Sequence, residues 1–400
     1  MLYLENYNLD LSVIQVETTM SSIKYIKKKI GQTYLVWFQN SNLYTQLEEP
    51  AWFVFRKTAN RHKTETIISD FSWRYGIDVE QSKQFVNDIQ SMINKMNQPT
   101  PISHLPDNYP VELKFKKFKP YSTRCYQITH NLIEFSFENQ QFETYIHPLL
   151  SYLETAKTNS KSSQFELFKY QDKSVLRLNG EVKGAWTYDN THRLIGFTYM
   201  SLINEMYNKT DDFWLMTVHA AALTNGLKTI LIPAESGSGK TTMAALLQSR
   251  GYQLLSDDFV PIDRHSFQAW PFPIAMSIKL GAMDVLSSVY PDLDNNPIKL
   301  TSSQKTVRYL SPEYKPESNN LGSPIKEVIS IKYDPTVEFE FKKADKLKSI
   351  KLLLDQSWIL PNAGNAAAFL DRVSQCSFYQ LTYSNNEKAL DAISKLFDHD

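Results

Sequence analysis

Apolar and polar positions follow different rhythms in the first hundred residues and in the rest of the chain. TYLVWFQ (33–39) combines aromatic residues with a valine, as a strand does. The rhythm then becomes helical. EPAWFVFRKTAN (49–60) places Pro50 near a helix start, where its missing N–H costs nothing. ETIISDFSWRYG (65–76) spaces Ile67, Ile68 and Phe71 for one helix face and stops at Gly76. DVEQSKQFVNDIQSMINKM (78–96) opens on Asp78 as an N-cap and sets Phe85, Ile89, Met92, Ile93 and Met96 on one face. A strand or hairpin followed by three short helices predicts a small winged-helix-like α+β module.

The second rhythm is one of buried strands. FWLMTVHAAALTNG (213–226) is almost wholly apolar, and its TNG turns it into KTILIPA (228–234). ESGSGK turns sharply on Gly237 and Gly239, and TTMAALLQSRG then reads as a helix stopped at Gly251. YQLLSDDFVPID (252–263) begins as another strand, and a short crossover helix makes it parallel to 228–234. Three polar stretches interrupt the pattern. NQPTPISHLPDNYP (97–110) carries four prolines and reads as a linker, while 155–164 and 312–324 read as surface loops. The division this predicts is a domain over 1–98, a linker over 99–110 and a second domain over 111–400.

Composition narrows the class. The chain has 400 residues, 42% of them hydrophobic and 22% charged, enough for about two or three globular domains. Lys plus Arg equals Asp plus Glu, 43 against 43, so no overall field steers it to nucleic acid or to an anionic membrane. The two cysteines, Cys125 and Cys376, give neither metal-ligand spacing nor a disulfide framework. The start, MLYLENYNLDL, lacks the basic and apolar segments of a signal peptide, and no apolar run approaches the roughly 20 residues that span a bilayer. A soluble cytoplasmic protein is expected.

Strand, Gly-rich loop and helix are the context that a phosphate-binding loop requires. Glycines let backbone N–H groups close around phosphates, and the helix N-terminus adds its positive end. Glu235, Ser236, Gly237, Ser238, Gly239, Lys240, Thr241 and Thr242 form the candidate cradle. Lys240 is expected to reach the β and γ phosphates and Thr241 to ligate Mg²⁺. Ala234 stands where the usual pattern begins with Gly. Asp257 and Asp258 fall at the carboxyl end of their strand, beside the loop, where α/β sheets hold ligands. Two adjacent carboxylates can divide the work, one on the metal and one on the proton of an attacking hydroxyl. A single histidine in an apolar run is usually a satisfied core residue, but the hairpin after His219 leads straight into the loop, so its imidazole could instead point at the γ-phosphate.

Residues 20–96 resemble the PqqD-like modules that recognise leader peptides of ribosomally made, modified peptides. The resemblance rests on the strands, the aromatic first helix, the YGID joint and the last amphipathic helix. Lys24, Lys27, Lys28 and Lys29 leave a DNA-binding winged helix, a solvated face or a structural cap open beside it. VHAAAL, ESGSGKTT and SDDFVPI, in this order and spacing, resemble the HPr kinase family, closely over 210–265 and loosely over 110–400. That resemblance implies an α/β P-loop kinase core of HPr kinase/phosphoenolpyruvate carboxykinase type. It places His219 near the transferred phosphate, Asp257 as acid/base and Asp258 with Thr241 on the metal. WPFPIAMSIKLG and SSQKTVRYLSP resemble segments of related proteins in peptide-modification clusters, which points to Lys279, Lys305 and Arg308, the last as a charge clamp. The Gly-rich signature that follows the aspartates in HPr kinase proper is missing, which argues against HPr as substrate.

The implied function is ATP- and Mg²⁺-dependent phosphoryl transfer to a Ser or Thr hydroxyl of a precursor peptide. The first domain would recruit its leader by strand addition, over strand 33–39 and the face of helix 79–96. Two other readings stand beside it: a small-molecule kinase with a structural first domain, and a non-catalytic, nucleotide-gated recognition subunit. Neither nucleic acid nor membrane is an expected partner, and a homo-oligomer is left open.

Overall fold

The structure, a computed structural model, describes residues 23–99, 112–158, 161–235, 237–301, 305–313 and 322–398. They group into two compact units. The small one takes residues 23–99 and 359–375, and the large one takes 112–358 and 376–398. Apart from Pro99 the expected linker lies outside the described residues, as do Ser236 and parts of the two expected loops.

The small unit begins with a meander of β1 (Tyr25–Ile30), β2 (Thr33–Phe38) and β3 (Leu43–Glu48), in the order β1-β2-β3. Helices α1 (Glu49–Ala59), α2 (Thr64–Tyr75) and α3 (Val79–Met96) follow. Their ends obey local chemistry. Pro50 sits in the first turn of α1, Gly76 ends α2 in the left-handed region at φ 64, and Asp78 accepts from the N–H groups of Glu80 and Gln81 to cap α3. Val36 and Phe38 of β2 pack with Trp52, Phe55 and Ile93.

The large unit is a mixed α/β fold with several sheets. Helix α4 (Glu112–Phe115) precedes β4 (Ser122–Ile128), β5 (Asn131–Phe137), α5 (Gln140–Leu150), β6 (Ser162–Tyr170), β7 (Lys173–Leu178) and β8 (Glu181–Thr187). These five strands form one sheet in sequence order, and α6 (Thr191–Tyr207) packs on it. A ten-stranded sheet starts with β9 (Trp214–Val218), β10 (Ala220–Thr224) and β11 (Thr229–Pro233). Helix α7 (Lys240–Ser249) leads to β12 (Gln253–Ser256), β13 (Val260–Asp263) and β14 (Gln268–Ala269). Next, β15 (Met276–Lys279), α8 (Met283–Leu286), β16 (Lys299–Leu300) and β17 (Thr306–Leu310) supply a separate three-stranded sheet. The large sheet is completed by β18 (Ser323–Tyr333), β19 (Phe339–Lys343), β20 (Ser357–Ile359) and β21 (Ser377–Tyr383). Helix α9 (Lys346–Asp355) lies between β19 and β20, helix α10 (Ala363–Val373) follows β20, and α11 (Asn386–Asp398) ends the described chain.

Helix α10 belongs to the small unit. The last four residues of β2, Leu35 to Phe38, are all buried, so both faces of the sheet are covered. Val36 and Phe38 meet the helical face. Across the other face Phe369 of α10 sits edge-on to Tyr44 of β3 at 5.8 Å, and Asp371 accepts from Lys28 at 2.6 Å. The lysine run is likewise engaged within the unit: Lys27 lies over the Trp52 ring at 4.5 Å and Lys29 over Tyr34 at 5.3 Å.

Strand 33–39 was the expected site of strand addition, but β2 is the middle strand of its sheet. Both its edges are hydrogen-bonded, to β1 and to β3, so it has no free edge to offer. Among the described residues the outer edges are those of β1 and β3.

Candidate active site

All residues of β9, β10 and β11 are buried, which explains their unbroken apolar sequence. The order β12-β10-β11-β18 places β10 between the loop-bearing strand and the aspartate-bearing strand. Both β11 and β12 pair antiparallel with β10, so they run parallel to each other, as expected, with one strand between them. The carboxyl ends of β11 and β12 therefore share an edge with the start of β10.

At that edge two neighbouring strands change partners together. Strand β9 pairs with β13, whereas β10 continues the same chain but pairs with β11 and β12. His219 is the joint, and its N–H leaves the ladder to donate to the Gln356 carbonyl. Strand β12 likewise gives way to β13 through Asp257, Asp258 and Phe259, a turn clasped by the Ser256 hydroxyl, which bonds both the carbonyl and the N–H of Phe259. Partner exchange in two adjacent strands makes this edge a switch point of the kind at which α/β folds carry their chemistry. It also brings His219 beside Asp258: Nδ1 lies 2.7 Å from Oδ1 and 3.2 Å from the Asp258 carbonyl.

The phosphate loop joins β11 to α7. Gly239 has φ 94, and a Cβ there would stand 2.9 Å from the Tyr383 hydroxyl, so the position excludes side chains twice over. Gly237 has φ 94 as well. The loop is tied back at its Ser238 carbonyl, which accepts from the Tyr333 N–H at 2.8 Å. Ser238 Oγ is buried without a partner among the described residues, a polar atom suited to a ligand of the loop. Glu235 is exposed, and Thr242 follows Thr241 in the first turn of α7, half-buried.

Lys240 is buried and donates to the carbonyl of Asp257 and to its Oδ1 at 3.2 Å. Thr241 Oγ1 donates to Asp257 Oδ2 at 2.8 Å. Both oxygens of Asp257 are thus engaged by the loop, and its side chain is only 6% exposed. Burial raises its carboxyl above the ordinary range, with the Lys240 charge opposing and the Asp258 charge adding to the rise. Asp258 differs. Burial of the group would raise it, but the hydrogen bond and charge of His219, with Lys240 beyond, hold it well below the usual carboxylate range. Its side chain is 53% exposed, so solvent screens part of that effect.

This geometry departs from the expected pairing of Thr241 with Asp258. The partner of Thr241 is Asp257, because that residue follows β12 directly and reaches the start of α7, while Asp258 turns toward His219.

The remaining candidates divide. Lys279, at the end of β15, is lowered by burial, then by the charges of Lys305 and Lys240. Arg308 is tied to a neighbouring turn through one nitrogen, while its Nε is buried without a partner among the described residues. Its Nη1 donates to the carbonyls of Asp294 and Asn296, tying down the turn that precedes β16. Its cross-strand partner Ile278 belongs to the core beneath α7, so strand alternation turns Arg308 inward.

Sequence reasoning missed Tyr199 and Tyr309. The Tyr199 ring lies 5.7 Å from that of Phe259, the residue after Asp258, and its hydroxyl is raised well above its ordinary value by burial, then by the charges of Asp258 and Tyr309. It also missed Tyr333 and Tyr383 behind the loop. These tyrosines carry no local motif; only the packing of distant strands and of α6 brings them to the site.

The donors fit a nucleotide with Mg²⁺. Among the described residues no group of three or more His, Cys, Asp or Glu could hold a metal alone. A hydroxyl with one carboxylate beside a phosphate cradle is what Mg²⁺ uses when phosphates complete its shell, and Thr241 with Asp257 supplies that set. Among the described residues no helix is long and apolar enough to cross a membrane.

No family model matches the sequence, and no curated protein matches it. Among solved structures the chain is similar to the Hpr(Ser) kinase/phosphatase from Coxiella burnetii, at 12% identity over 45% of this chain and 89% of that one, with a TM-score of 0.19. A superposition that loose carries no argument, and the functional reading rests on the residues at the sheet edge.

Proposed function

We propose that the chain is an ATP- and Mg²⁺-dependent kinase that phosphorylates a Ser or Thr hydroxyl of a ribosomal precursor peptide recruited by the small unit. One observation carries the phosphotransfer half: Lys240 and Thr241 of the loop meet Asp257 and the Asp258–His219 pair at a single sheet edge. Phosphoryl transfer asks a protein chiefly for positioning and charge neutralisation.

In this reading the loop N–H groups and Lys240 hold the triphosphate. Thr241 and Asp257 hold Mg²⁺, which when bound neutralises charge on the β and γ phosphates. Asp258 takes the acceptor's proton as the hydroxyl oxygen bonds to the γ phosphorus and the bond to the bridging oxygen breaks, releasing ADP. His219 orients Asp258, and Lys279 with Lys305 adds positive charge nearby. The two aspartates thereby exchange the roles that the HPr kinase resemblance implied. Exposure supports the exchange: an acceptor can reach Asp258, whereas both Asp257 oxygens are occupied and buried.

Peptide recruitment would use an outer edge of the small sheet, β1 or β3, with main-chain bonds supplying affinity. A second reading, a kinase whose small unit is structural, is favoured by α10, since the small unit is built from two separated parts of the chain.

The test compares Asp257→Asn with Asp258→Asn, using ATP with water as acceptor. Asp258→Asn is expected to bind Mg-ATP normally while ADP release falls on the order of 10²- to 10⁴-fold. Asp257→Asn is expected to raise the Mg²⁺ concentration needed for nucleotide binding. Wild-type protein that binds no nucleotide in the presence of Mg²⁺ would remove the kinase reading.

A further inference from the structure

We propose that Tyr333 is the platform on which the nucleobase stacks, an inference that rests on the nucleotide reading above. Strand order sets the direction of the ligand. Around β11 the sequence is β12-β10-β11-β18, with β21 next to β18. His219, Asp257 and Asp258 lie on the β10 and β12 side, so the reacting end of the triphosphate points that way. The nucleoside end then falls on the opposite flank, over the carboxyl ends of β18 and β21.

Those two ends carry Tyr333 and Tyr383, which are directly paired in parallel register. The two tyrosines differ in exposure. Tyr383 is 1% exposed, and its hydroxyl abuts Gly239. Tyr333 is 48% exposed although its backbone is fixed to the phosphate loop, its N–H donating to the Ser238 carbonyl at 2.8 Å. Its Cβ lies 3.3 Å from where a Gly239 Cβ would stand, so the side chain departs from the rim of the cradle itself. Tyr383 holds the ring edge-on, with centroids 5.8 Å apart and planes at 83°.

An aromatic ring anchored to the phosphate loop, held by a buried neighbour and still open to solvent has the attributes of a stacking surface. Ordinary packing explains Tyr383, which belongs to the core under α7; it does not explain a large ring left half exposed at the mouth of the loop. Stacking uses the face of a base and not its hydrogen-bonding edge, so ATP and GTP are expected to bind comparably.

The experiment measures equilibrium binding of ATP, GTP and inorganic tripolyphosphate to the full chain, with Mg²⁺, for wild type, Tyr333→Ala and Tyr333→Phe. Tyr333→Ala is expected to weaken ATP and GTP alike by roughly 5- to 150-fold, the range for loss of one base–aromatic stack. Tripolyphosphate, which has no base, is expected to bind unchanged, and Tyr333→Phe is expected to match wild type. Unchanged ATP affinity in Tyr333→Ala overturns the proposal. So does an equal loss for tripolyphosphate, which would make Tyr333 a support of the loop. Wild type that binds tripolyphosphate but not nucleotide also overturns it, and wild type that binds none of the three sinks the nucleotide reading itself.

Discussion

Replacing Lys240 with Met tests the buried pair at the centre of the site through stability as well as activity. The Lys240 and Asp257 side chains are 9% and 6% exposed, and Met keeps much of the lysine stem's bulk while removing the charge. Removing one partner of a buried pair costs roughly 3–5 kcal/mol, because the other charge is left uncompensated. At about 2–4 °C per kcal/mol for a domain of this size class, the melting temperature should fall by about 6–20 °C. The loss should depend on pH with a definite sign. Burial already raises the folded-state carboxyl of Asp257, Lys240 is the first effect opposing that rise, and Asp258 adds to it. Without Lys240 the carboxyl rises further. A carboxyl raised in the folded state costs nothing at a pH below its unfolded value of about 4, where both states are protonated. The cost grows as pH climbs from there to the folded value and is complete above it. Lys240→Met is therefore expected to melt close to wild type in acid and furthest below it at neutral pH. Adding Asp257→Asn should restore most of the neutral-pH loss. Melting curves by circular dichroism across that range supply the assay. A deficit independent of pH, or one that Asp257→Asn leaves in place, would refute the reasoning.

Two further outcomes follow from the same geometry. Gly239→Ala should weaken ATP binding by tenfold or more on the order-of-magnitude scale of about 1–2 kcal/mol for a left-handed non-glycine residue, plus the clash with Tyr383; unaltered titration curves would count against the loop geometry. Deleting residues 1–100 removes the sheet that covers α10, whose Phe369, Leu370 and Val373 are buried, so the shortened chain should aggregate on size-exclusion chromatography, and a monodisperse product would show that α10 stands without that sheet.

The sequence alone determined the elements whose causes are local. Asp78 before an amphipathic run, Gly76 at a helix end and Gly239 between a buried strand and a helix are each set by a few neighbouring residues, through capping, left-handed backbone and side-chain period. The phosphate loop was legible for that reason. Only the tertiary structure decided which distant residues meet. The sequence places Asp257 and Asp258 side by side but does not say which one faces Thr241; the partner exchange of β9/β10 and β12/β13 does, by turning one carboxylate under α7 and the other toward His219. Strand order likewise put β10 between β11 and β12, made β2 a central strand, set Arg308 against the turn before β16 and carried Tyr333 to the loop. Helix α10 followed from the same cause: its apolar face specifies burial but not a partner, and the partner, more than 300 residues earlier in a chain of 400, was the uncovered face of β1-β2-β3. Pairings between strands and faces far apart in sequence depend on which buried surfaces complement each other, and periodicity within one segment carries no record of that.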